Sequence, residues 1–215
     1  MNGLFYGSGT ALVTPFRDGK VDFAALGALI DWQISSGTDA LVVLGTTGEP
    51  STLSDAEREQ IIAFAVERAA GRVPVIAGTG SNDTAKAVAL ARSAEAEGAD
   101  ALLVVTPYYN KAGDDGLIQH FTAIAERVQV PIIAYNVPSR TGMNIQPETY
   151  AELAKHPLIV ATKEASGNVS AIAKTAALCG DELAIYSGND DQILPLLALG
   201  GIGVISVLAN VAPRE

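Results

Sequence analysis

One lysine stands at the end of an apolar run and could act as a nucleophile. Lys163 follows residues 158–162, Leu-Ile-Val-Ala-Thr, and the two-residue period of a strand puts it on the same face as Ile159 and Ala161. If that face is a barrel interior, lost hydration favours the neutral amine, which can attack a carbonyl and form a Schiff base. A lysine that reaches solvent and pairs with Glu164 explains the strand equally well.

Polar side chains that follow other apolar runs could complete such a site. Tyr135 could move protons beside an imine, although a buried tyrosine often only anchors a strand end. Thr46 and Thr47 could offer hydroxyl and N–H groups to a carboxylate, and an ordinary turn is the alternative. Arg140, in a proline-containing loop, has a guanidinium suited to bidentate carboxylate binding, and a solvated arginine is the alternative.

Two other kinds of catalytic site find little support in the sequence. The only histidines, His120 and His156, show no metal-ligand spacing with each other, so a metal-dependent reaction is disfavoured. The sequence has no Gly-x-Ser-x-Gly motif, which leaves a hydrolase triad without a nucleophile turn. Tyr108 and Tyr109 are adjacent aromatics, a feature common at interfaces, or they could be loop packing.

Composition limits the partners of the chain. Its 24 acidic and 14 basic side chains give a net charge of −10, which would repel nucleic acid. Cys179 is the only cysteine, so a reducing compartment fits best. The N-terminus lacks the pattern of a secretory signal. Residues 193–212 carry no charge, but prolines and glycines interrupt them, so a buried helix followed by a buried strand is expected there and not a membrane span. We therefore expect a cytoplasmic protein that does not enter a membrane.

Apolar runs that are rich in Val, Ile, Leu and Ala predict eight strands. They begin near Thr10, Ala40, Pro74, Ala101, Pro131, Leu158, Leu183 and Ile202. Segments with helical spacing lie between them, for example 22–35, 55–70, 83–97 and 117–127. Ser54 and Glu57 form a capping box, Asp22 and Asn168 can cap helices, and Pro147 suits a first helical position.

Alternating strands and helices predict one domain, residues 1–215, with the (β/α)8 TIM-barrel fold. An open, doubly wound sheet is the alternative, but no Gly-x-Gly-x-x-Gly follows the first strand. About ten residues follow the eighth strand, so the usual eighth helix is expected to be missing. Apolar surface near the last two strands should then be uncovered.

Three segments together resemble the dihydrodipicolinate synthase family. They are 45–49 (Gly-Thr-Thr-Gly-Glu), 135–142 (Tyr-Asn-Val-Pro-Ser-Arg-Thr-Gly) and 163–168 (Lys-Glu-Ala-Ser-Gly-Asn). The resemblance runs from the first strand to the eighth. It implies a lyase that condenses pyruvate with L-aspartate-4-semialdehyde, in diaminopimelate and lysine biosynthesis, without a metal or organic cofactor.

The same resemblance implies roles for individual catalytic residues. Lys163 would form the imine with pyruvate. Tyr135, Thr46 and Tyr109 would form a proton relay, with Tyr109 reaching in from the neighbouring subunit of a homodimer. The resemblance leaves open whether dimers pair further into tetramers.

Four further positions resemble the substrate-binding residues of the family. Thr47 and Gly188 look like pyruvate-site residues. Arg140 resembles the arginine that receives the carboxylate of the semialdehyde, and Ile205 matches a position whose backbone carbonyl lies at the site.

Two alternatives stay open beside this activity. Neuraminate and keto-deoxy-sugar-acid lyases of the same superfamily share the lysine and the tyrosine, so Lys163 and Tyr135 define only the reaction class. The second alternative is a truncated barrel that binds pyruvate with little turnover, because the chain is expected to lack the eighth helix and the C-terminal helical extension of the family.

Feedback inhibition by lysine is expected to be weak or absent. Tyr108 and Asn82 resemble residues of lysine-inhibited members. However, Asp55, Arg58 and Lys86 stand where sensitive bacterial members tend to carry two histidines and a glutamate. The ammonium of Lys86 should repel that of a lysine ligand.

Overall fold

The computed structural model describes residues 4–215, in which strands and helices alternate. The strands are β1 (Gly7–Ala11), β2 (Phe16–Arg17), β3 (Lys20–Val21), β4 (Ala40–Val43), β5 (Val75–Gly78), β6 (Ala101–Val105), β7 (Ile132–Asn136), β8 (Ile159–Glu164), β9 (Ala184–Ser187) and β10 (Gly203–Ser206). The α-helices are α1 (Phe23–Ser35), α2 (Asp55–Ala69), α3 (Thr84–Ala96), α4 (Asp114–Ala125), α5 (Pro138–Thr141), α6 (Pro147–Leu153), α7 (Val169–Cys179) and α8 (Ile193–Ala198). Short 3-10 turns occupy Thr46–Gly48, Pro50–Thr52, Gly180–Glu182, Asp190–Gln192 and Leu208–Asn210.

Eight of these strands close into a parallel barrel, and β2 and β3 form a separate hairpin. The order around the barrel is β1, β4, β5, β6, β7, β8, β9 and β10, and β10 pairs again with β1. The predicted (β/α)8 barrel is confirmed. Seven strands begin within one residue of their predicted starts, and β1 begins at Gly7, three residues before Thr10.

The predicted helix starts are also confirmed by their hydrogen bonds. Asp22 accepts the N–H of Ala25 at 2.9 Å at the start of α1. The carboxylate of Glu57 accepts the Ser54 N–H at 2.9 Å, which completes the capping box of α2. Asn168 accepts the N–H of Ala171 at 3.1 Å at the start of α7. Each of these side chains satisfies a backbone N–H that a helix leaves unpaired at its N-terminus.

Three local predictions differ from the structure. The helix predicted at 117–127 lies three residues earlier at its start, since α4 begins at Asp114. The hairpin of β2 and β3 was not predicted, because each strand has only two residues and neither is buried. Arg140 lies in the short helix α5 and not in a loop, because Pro138 occupies the first position of that helix, where its fixed φ is favourable.

Side chains of the barrel strands pack in two layers. The inner layer fills the barrel with residues such as Val42, Ile76 and Ile133. The outer layer packs residues such as Leu41 and Ile132 against the helices. The alternation follows from the two-residue period of a strand, and it decides which strand residues face the barrel mouth.

A bulge in β8 changes this alternation below Lys163. Residues 132 and 133 of β7 pair with Ile159 and Ala161, which leaves Val160 as an extra residue. Ile159 therefore packs in the outer layer, while Ala161 packs in the inner layer. The prediction that Ile159 shares the face of Lys163 is wrong, and the prediction for Ala161 is correct.

Apolar side chains are exposed beside β9 and β10, as expected from the sequence. Leu194 of α8 is 78% exposed, and Val207, Leu208 and Val211 are also exposed. The expectation of a buried helix in this region is wrong, because α8 buries only Leu196. No α-helix within residues 4–215 combines the length and the apolar character needed to cross a membrane.

Gly78 allows the turn after β4 to fold across the end of β5. A Cβ at Gly78 would lie 2.0 Å from the carbonyl oxygen of Leu44. Leu44 itself adopts a left-handed backbone with φ of 57°, which leads the chain towards Thr46. The missing side chain at Gly78 thus helps to place the Thr46–Gly48 turn.

Replacing Gly78 with alanine is expected to lower the free energy of unfolding by about 1–3 kcal/mol, because backbone atoms must move to admit the methyl group. Urea denaturation measures this loss. Gly113→Ala is the matched control, since a Cβ there meets nothing within 4 Å and Gly113 has a φ of −74°. Equal stability of the two variants would contradict the close approach.

Candidate active site

Lys163 lies at the carboxyl end of β8 with its side chain inside the barrel. It is 4% exposed, and its Nζ lies 4.5 Å from the centroid of the Tyr135 ring. Burial lowers the pKa of this amine to about 8, although the negative charge of Asp190 opposes the shift. A neutral amine is the nucleophile in Schiff-base formation, so this environment favours the chemistry predicted for Lys163.

Glu164 does not pair with Lys163. Its carboxylate accepts hydrogen bonds from the Tyr150 hydroxyl at 2.9 Å, from Asn136 Nδ2 at 3.1 and 3.2 Å, and from the Ser166 N–H at 2.7 Å. These partners lie outside the barrel interior, on the opposite face of β8. The alternative of a solvated ion pair between Lys163 and Glu164 is therefore wrong.

Tyr135 is the residue of β7 that pairs with Lys163 across the two strands. Burial raises the pKa of its phenol, while a hydrogen bond with the Thr46 side chain and the positive charge of Arg140 oppose the shift. The phenol is therefore protonated at neutral pH and can donate a proton. Thr46 reaches Tyr135 from the turn that follows β4, as that turn crosses the barrel mouth.

A cleft of about 660 Å³ opens over these side chains at the carboxyl ends of the strands. Six of the eight predicted site residues line it, namely Thr46, Thr47, Tyr135, Arg140, Lys163 and Gly188. Asp190 and Asp191 line the same cleft. Cationic, anionic and hydroxyl groups thus meet in one space large enough for a small polar molecule.

Gly188 leaves room for the Lys163 side chain. A Cβ at Gly188 would lie 3.1 Å from both Cγ and Cε of Lys163, and 2.8 Å from Cβ of Ala165. Contacts this short would displace the lysine stem, so the position accepts no larger residue without movement. This geometry gives Gly188 a place at the site that the sequence motif alone could not explain.

Two predicted site residues, Tyr109 and Ile205, do not line the cleft of their own chain. Tyr109 is 89% exposed and has a left-handed φ of 74°, and its N–H donates to the carbonyl of Thr141 at 3.2 Å. Ile205 lies in the middle of β10, where its side chain is fully buried in the inner layer. The structure therefore gathers six of the eight predicted residues and leaves these two apart.

Asp190 is a residue of the cleft that the sequence analysis did not single out. One carboxylate oxygen accepts the N–H groups of Val207 at 3.3 Å and Leu208 at 3.1 Å. The other oxygen is buried without a hydrogen-bond partner in the described part of the chain. Its position directly after β9, at the barrel mouth, was the available signal. Its charge raises the pKa of Lys163 against the effect of burial.

The histidines lie away from this cleft. His120 packs between helices with Nδ1 2.9 Å from Thr84 Oγ1, and His156 Nδ1 accepts the Leu158 N–H at 3.2 Å. Within residues 4–215, no group of three or more His, Cys, Asp or Glu side chains is arranged to hold a metal ion. Both histidines therefore belong to local packing and turn structure.

Replacing Lys163 with methionine is expected to stabilise the protein at neutral pH. The difference between a pKa of about 8 in the folded chain and 10.5 for an ordinary lysine corresponds to about 3 kcal/mol of destabilisation. This penalty is fully present below pH 8 and fades towards pH 10.5, because the unfolded chain alone then keeps the proton. Urea denaturation at several pH values should therefore show a gain for Lys163→Met that shrinks as the pH rises, and a pH-independent difference would contradict the buried amine.

Comparison with known proteins identifies the family. The model of the dihydrodipicolinate synthetase family matches residues 4–215. Proteins named 4-hydroxy-tetrahydrodipicolinate synthase from Thermoanaerobacter sp. (strain X514) and Caldicellulosiruptor bescii are 57% and 59% identical over 213 residues, which is 99% of this chain and 72% of each relative. The crystal structure of dihydrodipicolinate synthase from Aquifex aeolicus superposes with a TM-score of 0.96 at 50% identity, over 98% of this chain and 72% of that one. The chain belongs to the dihydrodipicolinate synthetase family.

Proposed function

We propose that the chain is a 4-hydroxy-tetrahydrodipicolinate synthase, the enzyme for which its relatives are named. It condenses pyruvate with L-aspartate-4-semialdehyde through a Schiff base on Lys163. One observation carries the proposal: a buried lysine amine, with its pKa lowered to about 8, faces Tyr135 in a polar cleft. Among the described residues that line the cleft, Lys163 has the only amine.

The first half of the reaction attaches pyruvate. The Lys163 amine attacks the ketone carbon of pyruvate, and the ketone oxygen becomes a hydroxyl. Tyr135 donates a proton to that hydroxyl, which leaves as water, and a protonated imine remains. Thr46 supports this step because its hydrogen bond orients the phenol and offers a route for the returning proton.

The second half forms the carbon–carbon bond. The protonated imine withdraws electrons, so the former methyl group of pyruvate loses a proton to the Tyr135 phenolate and an enamine forms. The enamine carbon attacks the aldehyde carbon of the semialdehyde, and Tyr135 gives its proton to the aldehyde oxygen, which becomes a hydroxyl. The amine of the new product then displaces Lys163 and frees the enzyme. Desolvation inside the barrel strengthens the charge interactions in each step.

The rest of the cleft binds the two carboxylates. Thr46 and Thr47 start a 3-10 turn whose hydroxyl and N–H groups suit the carboxylate of pyruvate. Gly188 lines the cleft beside the Lys163 stem and is proposed to contact pyruvate there. Arg140, which lines the same cleft, suits the carboxylate of the semialdehyde. Ile205 is proposed to present its backbone carbonyl at the base of this site.

Tyr109 is proposed to act in the cleft of a second copy of the chain. Its side chain is almost fully exposed at the tip of the loop after β6, which leaves it free to enter a neighbouring site. A hydrogen bond from its backbone to α5 fixes the direction of the loop. The active assembly is therefore a homo-oligomer, at least a dimer.

A cytoplasmic location suits Cys179, which is buried and unpaired.

Two other functions remain outcomes of the experiment. A neuraminate or keto-deoxy-sugar-acid lyase would form the same imine but would use a different aldehyde. A barrel that binds pyruvate with little turnover would form the imine and stop there. The identity of the named relatives and the presence of Arg140 in the cleft favour the synthase.

Borohydride reduction with pyruvate is expected to attach a stable adduct to Lys163, which peptide mass spectrometry locates. Lys163→Met is the matched control and should give no adduct. A coupled assay with the semialdehyde then separates the synthase from a barrel that only binds pyruvate. An adduct on another lysine, or none at all, would overturn the proposal.

L-Lysine is expected to inhibit this enzyme weakly or not at all. Arg58 and Lys86 line a small cavity of about 110 Å³ between α2 and α3, where Lys86 pairs with Asp55. Asp55 and Glu59 line the same cavity, so the expectation rests on the position of Lys86, whose ammonium would repel that of a lysine ligand. Rates measured with and without lysine, against sodium chloride as an ionic control, test this. Half-inhibition at submillimolar lysine would contradict it.

A further inference from the structure

A buried polar cluster lies directly behind Lys163 and Tyr135, on the outer face of β7 and β8. It consists of Asn136, Glu164 and Tyr150, and we call it the β7–β8 clamp. Asn136 follows Tyr135 and Glu164 follows Lys163, and these neighbours pair with each other across the strands as Tyr135 and Lys163 do. Because successive strand residues face opposite sides, the clamp and the reactive pair share the same two stretches of backbone.

The clamp is joined by short hydrogen bonds. Asn136 Nδ2 donates to both carboxylate oxygens of Glu164, at 3.2 and 3.1 Å, and the Tyr150 hydroxyl donates to the same carboxylate at 2.9 Å. Asn136 Oδ1 also accepts the Ile145 N–H at 3.1 Å, and Glu164 accepts the Ser166 N–H at 2.7 Å. The clamp therefore connects β7, β8, α6 and the two chain segments that leave the strands.

The carboxylate of Glu164 is unusual because it is buried without an ion-pair partner among the described residues. Its side chain is buried, and only neutral donors contact it. Burial of a carboxylate is costly unless several hydrogen bonds compensate for lost hydration. An apolar residue of similar volume often gives equal or greater stability at such a position. Stability alone therefore does not explain this side chain.

The bulge at Val160 changes the pairing register of β7 and β8, and the clamp can stabilise the register above it. Below it, β7 and β8 pair in one register, and above it they pair in another. A slip of one residue would turn Lys163 from the barrel interior to the outer layer. The bond between Asn136 and Glu164 lies above the bulge, at the level of the reactive pair, and opposes such a slip.

We propose that Asn136, Glu164 and Tyr150 are positioning residues for imine formation. They fix the ends of β7 and β8 so that the Lys163 amine stays buried over the Tyr135 ring. The proposal rests on the proposed function, because it needs Lys163 to be the imine-forming residue. It assigns these side chains no contact with substrate. Misplacement of a reacting group by about 1 Å can slow a reaction by about a hundredfold, so a remote clamp can have a large effect.

The experiment compares two substitutions of Glu164. Glu164→Ala removes the carboxylate that accepts from Asn136, Tyr150 and the Ser166 N–H. Glu164→Gln can keep most of the geometry, because its amide oxygen, in place of Oε1, can accept from Ser166 and Asn136 while its amide NH₂ donates to Tyr150. Only the second bond from Asn136, to Oε2, is lost. The Tyr150 hydroxyl then donates to Thr162 Oγ1, which lies 2.9 Å away and can itself donate to the Ala134 carbonyl at 3.0 Å.

The measured quantity is the rate of borohydride-trapped adduct formation with pyruvate as a function of pH. Wild-type protein is measured first. If it forms no adduct, the proposed function is rejected, and the proposal for the clamp, which rests on that function, is rejected with it. For Glu164→Ala, the rate is expected to fall by at least about tenfold and its midpoint to move up in pH, because a released Lys163 gains water. Glu164→Gln is expected to recover most of the wild-type rate and midpoint.

Two further variants keep the outcome decisive. Adding Tyr150→Phe to Glu164→Gln should abolish the recovery, since the amide NH₂ then has no acceptor, and this comparison holds even if Glu164→Ala does not fold. Thr38→Val is the control for lost stability, because it removes a buried hydrogen bond to Gln33 Oε1 at the opposite end of the barrel. The pH midpoint of the control should not move. A wild-type rate and midpoint in Glu164→Ala, or a glutamine variant as slow as the alanine variant, would overturn the proposal.

Discussion

The Lys163 amine lies where water solvates it poorly, and the surrounding structure follows from that. In the closed barrel, β8 has a paired neighbour on both sides and the interior is filled with side chains, so water has little access to the lysine stem. The absence of a side chain at Gly188 lets the lysine stem lie flat, and the Tyr135 ring lies against the amine. Asp190 limits how far the pKa falls, so the amine can still be protonated and deprotonated near neutral pH.

This arrangement has a cost in stability that the rest of the chain must offset. A buried amine with a lowered pKa destabilises the fold, and a left-handed Leu44 adds local strain beside the site. Both are held by an ordinary apolar core in two layers, of which the outer is the larger. The reactive groups thus lie at one end of the barrel, and the apolar residues of the two layers stabilise the fold.

The sequence predicted the barrel well because its signals are local and repeated. Apolar runs predict strands, and capping residues such as Ser54 and Asp22 predict helix starts, without reference to distant parts of the chain. The bulge at Val160 was missed, because its effect depends on pairing with β7, which composition does not encode. The position of Glu164 was ambiguous for the same reason: only the neighbouring Asn136 and Tyr150 reveal which way the carboxylate points. Asp190 was visible as a residue, but its contacts with Val207 and Leu208 come from a distant part of the chain.

The extra residue in β8 determines which face of the strand each later residue of β8 occupies. In an uninterrupted strand, a residue four places after Ile159 would point the same way as Ile159, towards the helices. The bulge inverts that parity, so the amine enters the cleft and the neighbouring carboxylate takes the place among the helices. The extra residue at Val160 therefore determines which of two adjacent side chains, Lys163 or Glu164, faces the cleft, although Val160 itself lies earlier in the strand.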